Sequence, residues 1–431
     1  MLKRKITEDL IKWYHNKDKK PLIVEGARQV GKTYIINEFA SKFYGEQAIL
    51  INFFFEPHRK ELFEKDISPE TLYLKFSLLY RKQFLSKKRV LLFLDEIQAC
   101  PNAITALKSF AIDNRIDVIA SGSLLGVHYN QVTSFPVGYV ERLTLYPLDF
   151  KEFLWANGHE ESLKILKNYY DKRKKVPNVI HEEFMKLFRT YIAVGGMPEV
   201  VLSFIKDNDF NKILKIQTRI LNDYQDDIAK YATKTEKVRA REVFDSIPFQ
   251  LGKDNKKFQY KYVSKGGRSS TYSGSIQWLM DAGIAYKCNA LSNLEIPLPM
   301  YKLIDSFKLY IVDIGLLVSM LGVDVQTNIL LNDLGIAKGA IYENIIGIIL
   351  KQNGYNLYYY ERRSGLEIDF VISKNNKVIA IEVKSGNNLR SKSLQTLIKE
   401  GSIDTSIRLS AKNINKSDKI LDLPLYLSIF I

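Results

Sequence analysis

The stretch GARQVGKTY, residues 26–34, limits what this chain can fold into more than any other. Gly26, the four residues Ala27, Arg28, Gln29 and Val30, then Gly31, Lys32 and Thr33 follow the pattern G-x-x-x-x-G-K-[ST], with Tyr34 completing the candidate ligand-contacting run. The apolar run PLIV precedes it and the helical pattern KTYIINEFASKF follows, so the loop should join a buried strand to a helix. In that context the glycines let backbone N–H groups close around phosphates. Lys32 reaches the β- and γ-oxygens, Thr33 supplies a hydroxyl to Mg²⁺, and the helix N-terminus adds positive potential. ATP with Mg²⁺ is the ligand this chemistry predicts.

A second element must then hold the metal and activate water. VLLFLDEIQ is an apolar run ending in Asp95 and Glu96, as expected of a buried strand that delivers Asp95 to Mg²⁺ and Glu96 as general base. A third strand, RIDVIASGS, ends in Ser121, Gly122 and Ser123, where the Ser121 hydroxyl is a candidate to sense the γ-phosphate or position the water. Apolar runs alternating with helical patterns over residues 1–150 predict βαβ units and a parallel sheet.

Residues 151–232 lack strand-like runs and predict a helical lid, broken at AVGGMPEV. Residues 233–329 read as helix, helix and strand hairpin, a winged-helix-like arrangement. Residues 330–431 begin with the helix GAIYENIIGIILKQNG, followed by two alternating strands and a final helix. The fold class is thus α/β, a P-loop core with three further regions, in keeping with 431 residues at roughly 150 per domain.

Sixty-three Lys and Arg against 48 Asp and Glu leave a formal charge of +15, which points to a polyanionic partner, DNA in the first place. Lys265 and Arg268, beside the second helix of the middle region, are the candidate phosphate contacts. The run YNLYYYERR at 355–363 is either a base-stacking surface or ordinary strand packing. Two distant cysteines offer no disulfide framework, and His58, His128 and His181 show no ligand spacing. With no apolar run near ~18 residues and a charged N-terminus, the expectation is a cytoplasmic protein without a membrane partner.

GARQVGKT, LDEIQ, ASGS, LYPLDFKEF (145–153) and GGMPEV (195–200) together resemble the prokaryotic AAA-type P-loop ATPases whose C-terminal half is a domain of unknown function ending in a nuclease-like fold. The resemblance covers nearly the whole chain and implies ATP hydrolysis. The family usually carries a Gly-Arg pair ahead of the PL-F stretch. Here Gly138 is followed by Tyr139, so an arginine finger, if used, would be Arg142 or come from elsewhere.

EIDFVISKNNKVIAIEVKSG, residues 367–386, reads as a hairpin turning at Asn375–Asn376, which sets Asp369 opposite Glu382. Alternation then places Ile368, Phe370 and Ile372 on one face with Ile379, Ile381 and Val383, and Asp369, Glu382 and Lys384 on the other. Facing carboxylates repel unless something cationic lies between them, and a divalent metal would serve. The pattern resembles the PD-(D/E)XK nuclease core, in which acids bind Mg²⁺ and the lysine assists catalysis; the resemblance adds Glu343, on the preceding helix, to the metal ligands. The leading expectation is nucleotide-gated DNA binding or cleavage. The alternative is an ATP-dependent switch whose C-terminal fold is a non-catalytic module for a protein partner.

Overall fold

The computed structural model describes residues 2–86, 88–122, 135–231, 234–333, 335–386, 390–417 and 419–431. Ser123 and His128 lie outside the described residues. The chain forms two compact units, one of Lys3–Tyr146 with Asp281–Gly283, the other of Pro147–Met280 with Ile284–Ile431.

The first unit holds a wholly parallel sheet of β1 (Leu22–Glu25), β2 (Ala48–Asn52), β3 (Val90–Asp95), β4 (Ile116–Gly122) and β5 (Glu141–Thr144), in the order β2-β3-β4-β1-β5. Every residue of β3 and β4 is buried, as expected of central parallel strands covered on both faces, which is why they read as unbroken apolar runs. β5 escaped the sequence reading because its residues alternate between exposed and half-buried at the sheet edge. Parallel strands end on the same side. The turns after β1, β3 and β4 therefore converge at one edge of the sheet, where open α/β sheets bind ligands.

The second unit begins with five helices, Phe150–Ala156, Glu160–Lys172, Asn178–Val194, Pro198–Asp207 and Phe210–Tyr231, over the stretch predicted to be helical. Two more follow, Lys234–Leu251 and Ser269–Asp281, then the antiparallel pair β6 (Ala285–Leu291) and β7 (Lys302–Ile311). The pair does not stand alone. β8 (Tyr358–Glu361) adds to β6 in parallel and β9 (Glu367–Ile368) closes the order β7-β6-β8-β9, so one sheet runs across residue 330. Tyr358, Tyr359 and Tyr360 are all buried, which makes the tyrosine run core packing rather than a base-stacking surface.

The last sheet is β10 (Phe370–Lys374), β11 (Lys377–Val383), β12 (Thr405–Ser410), β14 (Ile420–Pro424) and β13 (Asn415–Ser417), in that order. Asn375 and Asn376 take φ of 51° and 55°, the left-handed pair that a two-residue type I′ turn requires, and Phe370 pairs with Ile381 as predicted. The face assignment needs one correction. Ile368 packs with Val371, Val378 and Ala380, while the Phe370 ring lies 5.8 Å from Tyr310 on the other side. The chain bends at Asp369 as it leaves one sheet for the next, and that bend breaks the period-two alternation assumed across it.

Candidate functional site

Residues 26–31 form the loop between β1 and the helix Lys32–Phe43, whose first turn carries Lys32, Thr33 and Tyr34. Gly26 has φ +148°, and a Cβ there would lie 2.1 Å from the Leu145 carbonyl oxygen, so only glycine lets the loop pass under the strand end. Gly31, at φ +93°, starts the helix. Lys32 is buried and donates to the carbonyls of Gly26 (2.9 Å) and Ala27 (2.7 Å). Burial pushes its ammonium down to about 8, against the opposing pull of Glu96 and Asp95. Tyr34 is exposed on the first helical turn.

Asp95, at the end of β3, is the acceptor around which the neighbouring strands organise. Its carboxylate takes hydrogen bonds from Thr33 Oγ1 (2.9 Å), Asn52 Nδ2 (2.8 Å) and the Ser121 hydroxyl. Strand order explains the convergence, since β2 and β4 flank β3. Ser121, expected to sense the γ-phosphate or position the water, is fully buried and its hydroxyl donates to Asp95. Asn52 was missed because nothing in its own neighbourhood marks it. Glu96 follows in the left-handed region (φ 52°, ψ 44°) and accepts from Gln98 Nε2. Arg142, on β5, lies 3.6 Å from Glu25 and over the Phe135 ring.

In the second unit Glu343 is 1% exposed, not the solvated helix residue that glutamate usually is. Its Oε1 accepts from Lys308 Nζ (2.8 Å) and the Tyr310 hydroxyl (2.6 Å), and its Oε2 from Lys256 Nζ. Lys308 also reaches Glu367 at 2.7 Å. The two lysines hold the Glu343 carboxyl well below its usual range although burial alone would raise it; burial and the charge of Glu343 push Asp369 up. Asp369 Oδ2 accepts the Val383 N–H at 2.7 Å, and Glu382 Oε1 pairs with Lys384.

This arrangement does not fit the three-carboxylate metal centre predicted for Glu343, Asp369 and Glu382. Both oxygens of Glu343 are taken, and among the described residues no group of three or more His, Cys, Asp or Glu is placed to hold an ion. The chain itself supplies the cations that pair with Glu343, as Lys256 and Lys308, while Glu382 pairs with Lys384. Neither Lys256 nor Lys308 was singled out from the sequence, though Lys308 inside the apolar strand FKLYI is a signal, since a lone buried lysine needs a carboxylate. Lys265 lies exposed on a turn and Arg268 is exposed just ahead of the helix Ser269–Asp281.

Comparison with known proteins matches three segments. Residues 18–154 match an AAA domain, residues 185–327 a domain of unknown function (DUF8612) and residues 338–426 another (DUF4143). The uncharacterized protein MJ1544 of Methanocaldococcus jannaschii is 25% identical over 418 residues, covering 92% of this chain and 83% of that protein. An uncharacterized protein of Haemophilus influenzae is 23% identical over 376 residues, covering 84% and 81%. The Walker-type ATPase PABY2304 of Pyrococcus abyssi overlays 74% of this chain and 96% of its own at 12% identity and a TM-score of 0.44. The phosphate loop and the carboxylates at the end of β3 both lie within the segment, residues 18–154, that matches the AAA domain.

Proposed function

We propose that the protein binds and hydrolyses ATP with Mg²⁺ and uses the nucleotide state to switch its hold on DNA, the C-terminal domain serving as a binding module that does not cleave. The observation that carries the first part is the cluster beneath the loop, where Thr33, Asn52 and Ser121 all donate to Asp95 and Glu96 follows directly. The residues fit Mg²⁺, because a hydroxyl and an oriented carboxylate already face each other at the base of a loop that only glycine can form. Bound there, Mg²⁺ would neutralise charge on the phosphate oxygens.

Lys32 would exchange its bonds to the Gly26 and Ala27 carbonyls for bonds to phosphate oxygens. Its depressed proton affinity then recovers beside the added negative charge. Glu96 accepts a proton from the attacking water as the water oxygen bonds to the γ-phosphorus and the bond to the β,γ-bridging oxygen breaks, releasing ADP and phosphate.

For the C-terminal domain, the internal pairing of Glu343 with Lys256 and Lys308 supports binding over cleavage. The excess of positive charge supports a polyanionic partner, which we take to be DNA. Calorimetric titration with ATP tests the nucleotide assignment. Lys32→Ala should weaken binding by about 10-fold or more, the loss expected for a charge-assisted phosphate contact; equal affinities in wild type and variant would refute it.

A further inference from the structure

The surroundings of Gln98 are unusual. It sits two residues past Glu96 in the short 3-10 turn Ile97–Ala99. The Ala99 N–H donates to the Glu96 carbonyl and the Cys100 N–H to the Ile97 carbonyl, both at 2.9 Å. Ile97 and Cys100 anchor this turn in the core cluster beneath the sheet. Gln98 is 9% exposed; its Nε2 donates to Glu96 Oε2, while its own Oε1 is buried with no hydrogen-bond partner among the described residues.

An orphaned buried carbonyl makes the fold less stable than an apolar side chain of the same shape would. The left-handed backbone of Glu96 is a second cost at the same place. Both costs are local to one carboxylate, and among the described residues the side chain of Gln98 hydrogen-bonds only through its amide N–H, to Glu96. We infer that Gln98 is a positioning residue for ATP hydrolysis: it holds the Glu96 carboxylate in the pose from which it takes the proton of water, at the expense of fold stability. A glutamate freed from this tether would sample several rotamers, few of them productive.

The inference rests on the hydrolysis proposed above, and the test separates the two. In Gln98→Met, which keeps the shape and removes both polar atoms, kcat should fall about 10- to 100-fold, the range for losing a hydrogen bond to a charged group. KM for ATP should hold, and the melting temperature should be unchanged or higher. A side chain with a merely structural role would instead lower the melting temperature and leave kcat alone. Because Gln98 acts through Glu96, the double variant Glu96→Gln/Gln98→Met should be no slower than Glu96→Gln. Wild-type kcat in Gln98→Met, a fall in melting temperature accompanied by loss of nucleotide affinity, or additive losses in the double variant would each overturn the inference. Wild-type turnover in Glu96→Gln would sink the hydrolysis assignment itself, whereas a slow Glu96→Gln with a normal Gln98→Met would sink only the role of Gln98.

Discussion

Glu343 shows how much one residue can carry. Three donors converge on its two buried oxygens, and two of them are cations that would otherwise sit uncompensated in the interior. Removing one member of a buried ion cluster is far more costly than never having built it, because the partners keep their charge. Glu343→Gln should therefore destabilise the protein by about 3–5 kcal/mol in urea unfolding. A loss below about 1 kcal/mol would mean that the lysines find other partners. The partners of Glu343 were the part the sequence hid, because Lys256 and Lys308 come from distant segments that only the fold brings to it. The loop after β1 was more legible, because the residues from Gly26 to Thr33 are contiguous and their spacing is itself the signal. Asn52 and Gln98, which act on Asp95 and Glu96 by side-chain contact alone, have no such spacing to betray them.

At the scale of elements, the β10–β11 hairpin could be read residue by residue, since two asparagines that tolerate a left-handed backbone fix its register. The bend at Asp369 could not, because alternation is a local rule and the change of sheet is a tertiary event. Asp313 is a second place where tertiary structure overrides local preference. It caps the helix Ile314–Leu321 by accepting from the Leu316 N–H at 3.0 Å, and also from the Gly196 N–H at 2.6 Å. Burial nevertheless pushes its carboxyl up to about 6, despite those bonds to the backbone. A folded-state value above the unfolded one means that the native state binds the extra proton, so this group's contribution to stability is largest at low pH and is lost as pH rises to about 6. The stability of wild type relative to Asp313→Asn should accordingly decline between about pH 4 and pH 6 and then level off. A difference that grows with pH across that window would show that the ionised form is the one the fold prefers.

For the whole molecule, the excess of positive charge is the one property that bears on a partner without reference to any single site. If DNA is that partner, its affinity should fall linearly with the logarithm of salt concentration. The loss should be about 10-fold or more between 50 and 200 mM, since each neutralised phosphate releases counterions. A flat response in a filter-binding titration would remove DNA from the account. The boundaries between regions were only partly legible, because β8 and β9 complete a sheet begun by β6 and β7 some fifty residues earlier, and strand partners at that distance leave no trace in local pattern. The central proposal is that the first unit turns over ATP through Glu96. Steady-state ATP hydrolysis by the full chain with Mg²⁺, comparing wild type with Glu96→Gln, tests this most directly. The prediction is measurable turnover in the wild type and a rate at least ~10²-fold lower in the variant, with ATP affinity retained. Equal rates in the two proteins would contradict it.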